Sequence, residues 1–361
     1  MVYIKFKIKW KKIFSQFASV GVLFFAFKRI VILTYVIWGC CKWFMPLLGY
    51  SEDTSLYYLF NEIQKIKYGN ILLIVICVVM IIIFSVSFIW LIIQNSGRKL
   101  LIIEHSSLQS MSFSYDKEEL EEYEVKKIKV NQCDTISNES LPLETKATLL
   151  ITEICNILPE INNYIEKHYQ VGYAGIPVGN IPSAFMLGYE LDDANKKLYF
   201  HKNRSDSLDD NFHILKNLHN SINLHVDKKE NKESENGDLM VIIQLTQLIS
   251  DTDLVGVLGN NDYILKYEVP GQINYDIIES AEQANRYAQQ IVDDIAGIQK
   301  KSNISKIKIC IAASSDFVFA LGTNFSKTQN INIVIYQFDK GRYSWGINVT
   351  KQTAVINNTC C

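Results

Sequence analysis

Four stretches of the chain end an apolar run in small or hydroxylated residues, a combination suited to holding phosphate. They are His105, Ser106 and Ser107 after LLIIE; Tyr173, Ala174 and Gly175 in QVGYAG; Thr246 and Gln247 after MVIIQL; and Ala312, Ala313, Ser314 and Ser315 after KIKICI. Small residues let backbone approach an anion closely, and hydroxyls donate hydrogen bonds to it. Ser183, in the segment IPSAFMLGYEL, joins these candidates. For any single serine or threonine the alternative is helix capping, which uses the same residue types.

Other chemistries find little support. GxSxG, HExxH, Walker and GxGxxG patterns are missing, so no catalytic residue is assigned and the chain is expected not to be an enzyme. His201, His213, His219 and His225 crowd one region, but the last three are six apart and would not share a helix face, so surface or loop positions are expected. The acid pairs Asp192-Asp193, Asp209-Asp210 and Asp293-Asp294 read as solvated faces or caps, and the DxD at Asp251 and Asp253 lacks the rest of a calcium loop. Eight cysteines show no CxxC pair or zinc spacing, so neither a metal nor a disulfide framework is expected, in keeping with a reducing compartment. A formal net charge of −2 and five arginines leave no broad basic surface, which argues against long nucleic acid as a partner.

The elements that must position the candidates form a repeat. LLIIEHSS (100–107) and MVIIQLTQ (240–247) read as buried parallel strands. Each precedes an amphipathic helical stretch, 147–168 or 277–300, and then a second apolar strand, 170–177 or 306–314. Phe185, Leu187 and Gly188 of IPSAFMLGYEL then recur as Phe319, Leu321 and Gly322 of SDFVFALGTNF, at a constant offset of 134 residues. A further strand follows in each copy, 197–202 or 331–340. The expected fold is α/β, with two fused Rossmann-like halves at about 98–226 and 239–350. The charged stretch DKKENKESENGD (227–238) reads as a disordered linker. In such sheets ligands gather beyond the carboxyl ends of the strands, where helices begin.

Residues 1–97 have a different character. Ile71 to Ile93 carries no charge and no proline, and spans about 35 Å as a helix, enough for a bilayer core. Ile30 to Gly49 is of similar length with one lysine, Lys42, placed to snorkel. A basic, apolar stretch from Phe6 to Arg29 reads as an interfacial helix, and no small-residue cleavage site marks a signal peptide. Lysine and arginine outside the intervening loop put both termini, and everything after Gly97, in the cytoplasm. The expectation is a multi-pass membrane protein. The sequons at Asn138, Asn203, Asn303, Asn324, Asn348 and Asn357 are then chance matches.

The stretches KIKICIAASSDFVFALGTNF and NIVIYQFDKGRYSWGINV resemble the SAVED domain, a sensor module of bacterial CBASS antiviral defence. RKLLIIEHSSLQSMSF and YAGIPVGNIPSAFMLGYEL are similar to its membrane-linked members, so the resemblance covers about 98–349. It implies two CARF-like halves and, as ligand, a cyclic di- or trinucleotide made by a partner CD-NTase, with no other cofactor. It also implies homo-oligomerisation on ligand binding, with a two-helix transmembrane hairpin as the effector that disrupts the membrane and causes abortive infection. Where the family pattern has a proline at the start of the second FALG helix, this chain has Ser315 and Asp316, and an aspartate there would oppose a phosphate unless it points away. Tyr343 matches a family tyrosine; it and Tyr173 are the candidates for stacking on a base. The rival readings are a membrane-anchored nucleotide-degrading enzyme and a constitutive membrane scaffold.

Overall fold

A computed structural model describes residues 98–107, 112–176, 179–191, 197–202, 211–216, 222–229, 237–271, 273–300, 303–327 and 331–357, together with Val79, Ile83 and Ser87. The two expected spanning segments lie outside the described residues, save for those last three positions, which are helical. No helix among the described residues is long and apolar enough to cross a membrane. Residues 97–361 form one compact unit.

The first half contains strands β1 (Arg98–Ser106), β2 (Tyr123–Asn131), β3 (Gln170–Gly175), β4 (Leu198–His201) and β5 (His213–Ile214). Its helices are α1 (Lys117–Leu120), α2 (Cys133–Ser137), α3 (Leu143–Glu166) and α4 (Ile181–Leu191). Next come β6 (His225–Lys229), β7 (Leu239–Gln244), β8 (Tyr263–Glu268), α5 (Ala281–Gln299), β9 (Lys306–Ala312), α6 (Ser315–Asn324), β10 (Asn332–Asp339), β11 (Arg342–Asn348) and β12 (Thr353–Ile356).

Sheet order is β2-β1-β3-β4-β5 in one half and β12-β11-β10-β9-β7-β8-β6 in the other. In both, the second strand runs parallel beside the first, the third takes the first's other side, the fourth continues parallel and the fifth turns antiparallel. The duplication expected from FxLG is therefore a duplication of topology. The second sheet gains β12 on one edge and β6 on the other.

Alternate residues of the central strands point into different cores, as a strand's period of two requires. Leu101 and Ile103 of β1, and Leu239, Val241 and Ile243 of β7, share one core with α3, α4, α5 and α6. Leu100 and Ile102 face outward beneath Phe113, Tyr115 and Leu120, while Met240 and Ile242 face outward beneath Ile249, Leu254 and Val257. Both faces of each sheet are thus covered, which is why these strands read as unbroken apolar runs. α5 starts at Ala281 rather than Ile277 because the Ser280 side chain caps it, accepting from the Gln283 amide at 3.1 Å.

One boundary needs correction. Asp227, Lys228 and Lys229, expected in a disordered linker, belong to β6 and pair with Lys266, Leu265 and Ile264 of the second sheet. The reason is local: Lys228 meets Asp294 at 2.6 Å, and the backbone of an edge strand pairs whatever the charge of its outward side chains.

Candidate functional site

The FxLG repeat marks the place where the halves touch. A side-chain carbon on Gly188 of α4 would run into the Phe319 carbonyl oxygen of α6, and one on Gly322 would run into that of Phe185. The same carbon at Gly188 would lie 3.1 Å from the Thr323 nitrogen, and at Gly322 3.0 Å from that of Tyr189. Phe185 and Phe319, Gly188 and Gly322, and Tyr189 and Thr323 are each separated by the repeat offset, so a local pseudo-two-fold axis runs through the crossing. Only glycine allows two helix backbones so close.

Around that axis the strand ends and helix starts meet. The Ser107 hydroxyl accepts a hydrogen bond from the Asn180 amide at 2.8 Å, and Asn180 caps α4 by accepting from the Ser183 amide at 3.0 Å. The Ile181 amide donates across the halves to Gln337 of β10 at 3.0 Å. A carbon on Gly175 would come within 2.5 Å of the Tyr173 hydroxyl and 2.6 Å of Ser315 Oγ; one on Gly179 would lie 3.3 Å from Ser107 Oγ and 3.7 Å from Ser315 Cβ. His105 Nδ1 sits 2.8 Å from the Tyr173 hydroxyl and its Nε2 3.1 Å from Gln132 Oε1. Ser183, Ser314 and Ser315 are buried; the Ser183 hydroxyl has no hydrogen-bond partner, while that of Ser314 lies against the Asp316 carboxylate and that of Ser315 against the Tyr173 hydroxyl. Buried polar groups are seldom left unpartnered, which makes the first turn of α4 stand out in this seam.

Burial dominates the electrostatics. It pushes the His105 imidazole down to about 4, against the smaller upward pull of Gln132, so the ring is neutral at pH 7. The tautomer that fits has Nε2 donating to Gln132 and Nδ1 accepting from Tyr173, whose hydroxyl burial and Asp316 keep protonated. Asp316 bonds through Oδ2 to Nδ1 of His201 at 2.9 Å. Burial raises that carboxyl, but the charge and hydrogen bond of His201, helped by Ser314, bring it below its ordinary value. For His201 burial lowers the imidazole, and Asp316 with Asp276 raises it above its ordinary value on balance.

Of the residues expected at the site, His105, Ser107, Tyr173, Gly175, Ser183, Ser314 and Ser315 come together in this seam. Ser106 ends β1, and its carbonyl accepts from the Gln132 amide at 2.8 Å. Thr246 sits beside β9, its amide bonded to the Ala312 carbonyl, and Gln247 is exposed one residue on, so both stand at the rim.

Three expectations are corrected. The Tyr173 ring is fully buried and stacked on Phe319 at 4.2 Å, so it offers no face to a base, and its hydroxyl meets His105 Nδ1 at 2.8 Å. Tyr343 lies within β11, packed with Met240, Ile242 and Cys310 on the outer face of the second sheet, and its amide donates to the Asp253 carbonyl. It belongs to packing, because strand alternation carries it away from the seam. His201, expected at the surface, is 4% exposed, since β4 is covered on both faces. Among its neighbours in sequence, His213 is half-buried, His225 is exposed on β6, and His219 lies outside the described residues. Asp316 meets His201 and stays beside the Ser314 hydroxyl, so the aspartate keeps its place at the start of α6. Sequence reasoning missed Gln132, Asn180 and Gln337, polar residues whose role depends on which strands and loops become neighbours.

Comparison with known proteins gives a model match over residues 157–349 to the family described as SMODS-associated and fused to various effectors sensor domain. The chain belongs to the SAVED family. The match starts inside α3, so β1 and β2 precede it, and it includes both copies of FxLG. Among solved structures the SAVED chain is similar to an Acinetobacter baumannii Cap4 SAVED/CARF-domain receptor with the cyclic trinucleotide 2′3′3′-cAAA, at 15% identity and TM-score 0.45 over 68% of this chain and 50% of that one. It is similar to the same receptor with 3′3′3′-cAAA at 16% identity and TM-score 0.46, with the same coverage. A Moraxella osloensis Cap4 receptor matches at 16% and 0.42, over 69% of this chain and 49% of that one. The chain thus spans about half the length of these receptors. No curated protein matches it.

Proposed function

We propose that this SAVED protein is a CBASS antiviral effector that binds a cyclic di- or trinucleotide from a CD-NTase in the seam between its halves. The observation that carries the reading is the pseudo-two-fold meeting of α4 and α6, with the buried serines Ser183, Ser314 and Ser315 at the starts of the two helices and the Ser183 hydroxyl unpartnered. A site that repeats itself suits a ligand that repeats itself, and the starts of helices favour anionic groups. Binding without turnover follows from the absence of a nucleophile and base pair in the sequence motifs. The effector is the N-terminal hairpin in the bacterial inner membrane, both termini cytoplasmic. Supporting it are the uncharged stretch Ile71 to Ile93 and the exposure of its helical residues Val79 and Ile83, apolar side chains that a water-facing helix would not favour. Ligand would favour an assembled state in which hairpins gather and perturb the bilayer; a full switch of population needs about 5.5 kcal/mol of differential affinity.

The test uses full-length protein in liposomes loaded with dye. Adding a panel of cyclic di- and trinucleotides, 3′3′3′-cAAA among them, is expected to give a bound, chemically intact ligand, a larger particle and dye release. A ligand that is hydrolysed favours the enzyme reading, and a particle size indifferent to every nucleotide favours the scaffold. The seam itself is checked by S183A. Removing a hydroxyl that has no partner is expected to leave unfolding stability unchanged or raised by up to about 1 kcal/mol, while ligand affinity falls about tenfold or more. Loss of stability with unchanged affinity would mean that the hydroxyl is structural.

A further inference from the structure

The first turn of α4 is closed by a residue of the other half. Its first residue, Ile181, donates its amide to Gln337 Oε1 of β10 at 3.0 Å. The next residue, Pro182, has no N–H, and the Ser183 and Ala184 amides go to the side chain and the carbonyl of Asn180, both at 3.0 Å. Ile181 therefore carries the one amide of this turn whose partner another element supplies. Ser183 is fully buried, and its hydroxyl stands in the same turn without a partner.

An irregularity in its strand places Gln337 for that contact. The pairing of β10 with β11 shifts register between Gln337 and Phe338, and bulges of this kind re-aim side chains beside functional sites. Two partners fix which way the side-chain amide points: its oxygen faces the Ile181 N–H, and its nitrogen donates to the Phe338 carbonyl at 3.0 Å. Gln337 is only half-buried, so its side chain has solvent to swing into. The start of α6 is closed differently. Asp316, 3% exposed, fills it with its own carboxylate, which meets the Ser314 hydroxyl, its own amide and His201 Nδ1 at 2.9 Å. A neutral amide oxygen at the edge of the seam can leave its partner, whereas a buried, paired carboxylate leaves only at a large cost.

We propose that Gln337 is a displaceable stand-in for the ligand: its side-chain oxygen holds the Ile181 amide at the start of α4 until an anionic group of the cyclic nucleotide takes its place, with the Ser183 hydroxyl as second donor. The proposal rests on the ligand-binding reading above. It directs the ligand's charge to α4 rather than α6, so the two copies of the site are not equivalent. It also ties binding to the contact between the halves, because the bond that the ligand breaks is one that joins them.

The test measures binding of 3′3′3′-cAAA and a panel of cyclic dinucleotides to the full-length protein in nanodiscs. Q337A leaves the Ile181 amide open, so its affinity is expected to rise about three- to tenfold, the worth of one hydrogen bond no longer broken on binding. Q337E places a carboxylate at the helix start, and its affinity is expected to fall about tenfold as two negative groups compete for one place. A wild-type protein that binds none of the nucleotides overturns the ligand reading and this proposal with it. Wild-type binding with Q337A equal or weaker overturns the displacement alone, since Gln337 is then a bystander or a direct contact of the ligand. Q337E binding as tightly as wild type overturns it too. If circular dichroism shows that Q337A does not fold, Q337N decides with the same expected sign, because its amide stops one carbon short.

Discussion

Replacing Gly188 or Gly322 with alanine is expected to destabilise the protein by about 3 kcal/mol, although alanine is the better helix former. The added carbon meets a backbone carbonyl oxygen on the opposite helix, Phe319 or Phe185, rather than the far end of a flexible side chain. Neither helix can shift without disturbing the shared core, since Phe185 and Phe319 are both fully buried. Gly297 in α5 is the internal control: nothing lies within 4 Å of its added carbon, so G297A is expected to stabilise by about 0.5–1 kcal/mol. Urea unfolding of the three variants checks both signs. Equal stability for G188A and wild type would refute the crossing and with it the pseudo-two-fold axis.

Acidification from pH 7 to pH 4 is expected to cost about 3 kcal/mol through His105 alone. The folded imidazole, held down by burial at about 4, stays neutral while the unfolded one, with an ordinary value near 6.5, takes up a proton. The unfolded state therefore binds more protons throughout that window, and stability rises with pH across it. Two other groups set the flanks. Asp316, lowered in the folded protein, contributes stability that is lost as pH falls below the ordinary carboxylate range; His201, raised, contributes stability that is lost as pH climbs through its elevated value. H105Q offers the same neighbours a polar side chain that cannot be protonated. It is expected to be less stable at pH 7 but to lose markedly less between pH 6.5 and 4. A variant that follows the wild-type pH curve would show that the His105 ring is hydrated and free to titrate.

What could be read in the sequence follows from which strands are buried on both sides. β1, β3, β7 and β10 are built around apolar runs, and β9 adds isoleucines to the buried pair of Lys308 with Asp262; these stand out at once, as does FxLG, because glycine at a helix crossing has no substitute. β2 and β8 alternate apolar residues with lysine and glutamate, as YEVKKIKVN and YILKYE show, and their place beside β1 and β7 depends on pairing that no local pattern announces. β6 is harder still, a charged stretch whose only reason to be a strand is the edge it completes. The site divided in the same way. Serines and glycines after strands were legible because the end of a parallel strand is a loop by necessity. Burial of His201 and of the Tyr173 and Tyr343 rings was not, because which face of a strand is covered is decided by segments far away in the chain.

The crossing of β6 from one half to the edge of the other bears on any dissection of this molecule. A piece cut to begin at Leu239 would keep its own helices yet lose the antiparallel neighbour of β8, baring a row of amide and carbonyl groups from Ile264 to Glu268. Such a fragment should self-associate through that naked border, whereas one begun at Ile222 would carry its own hem.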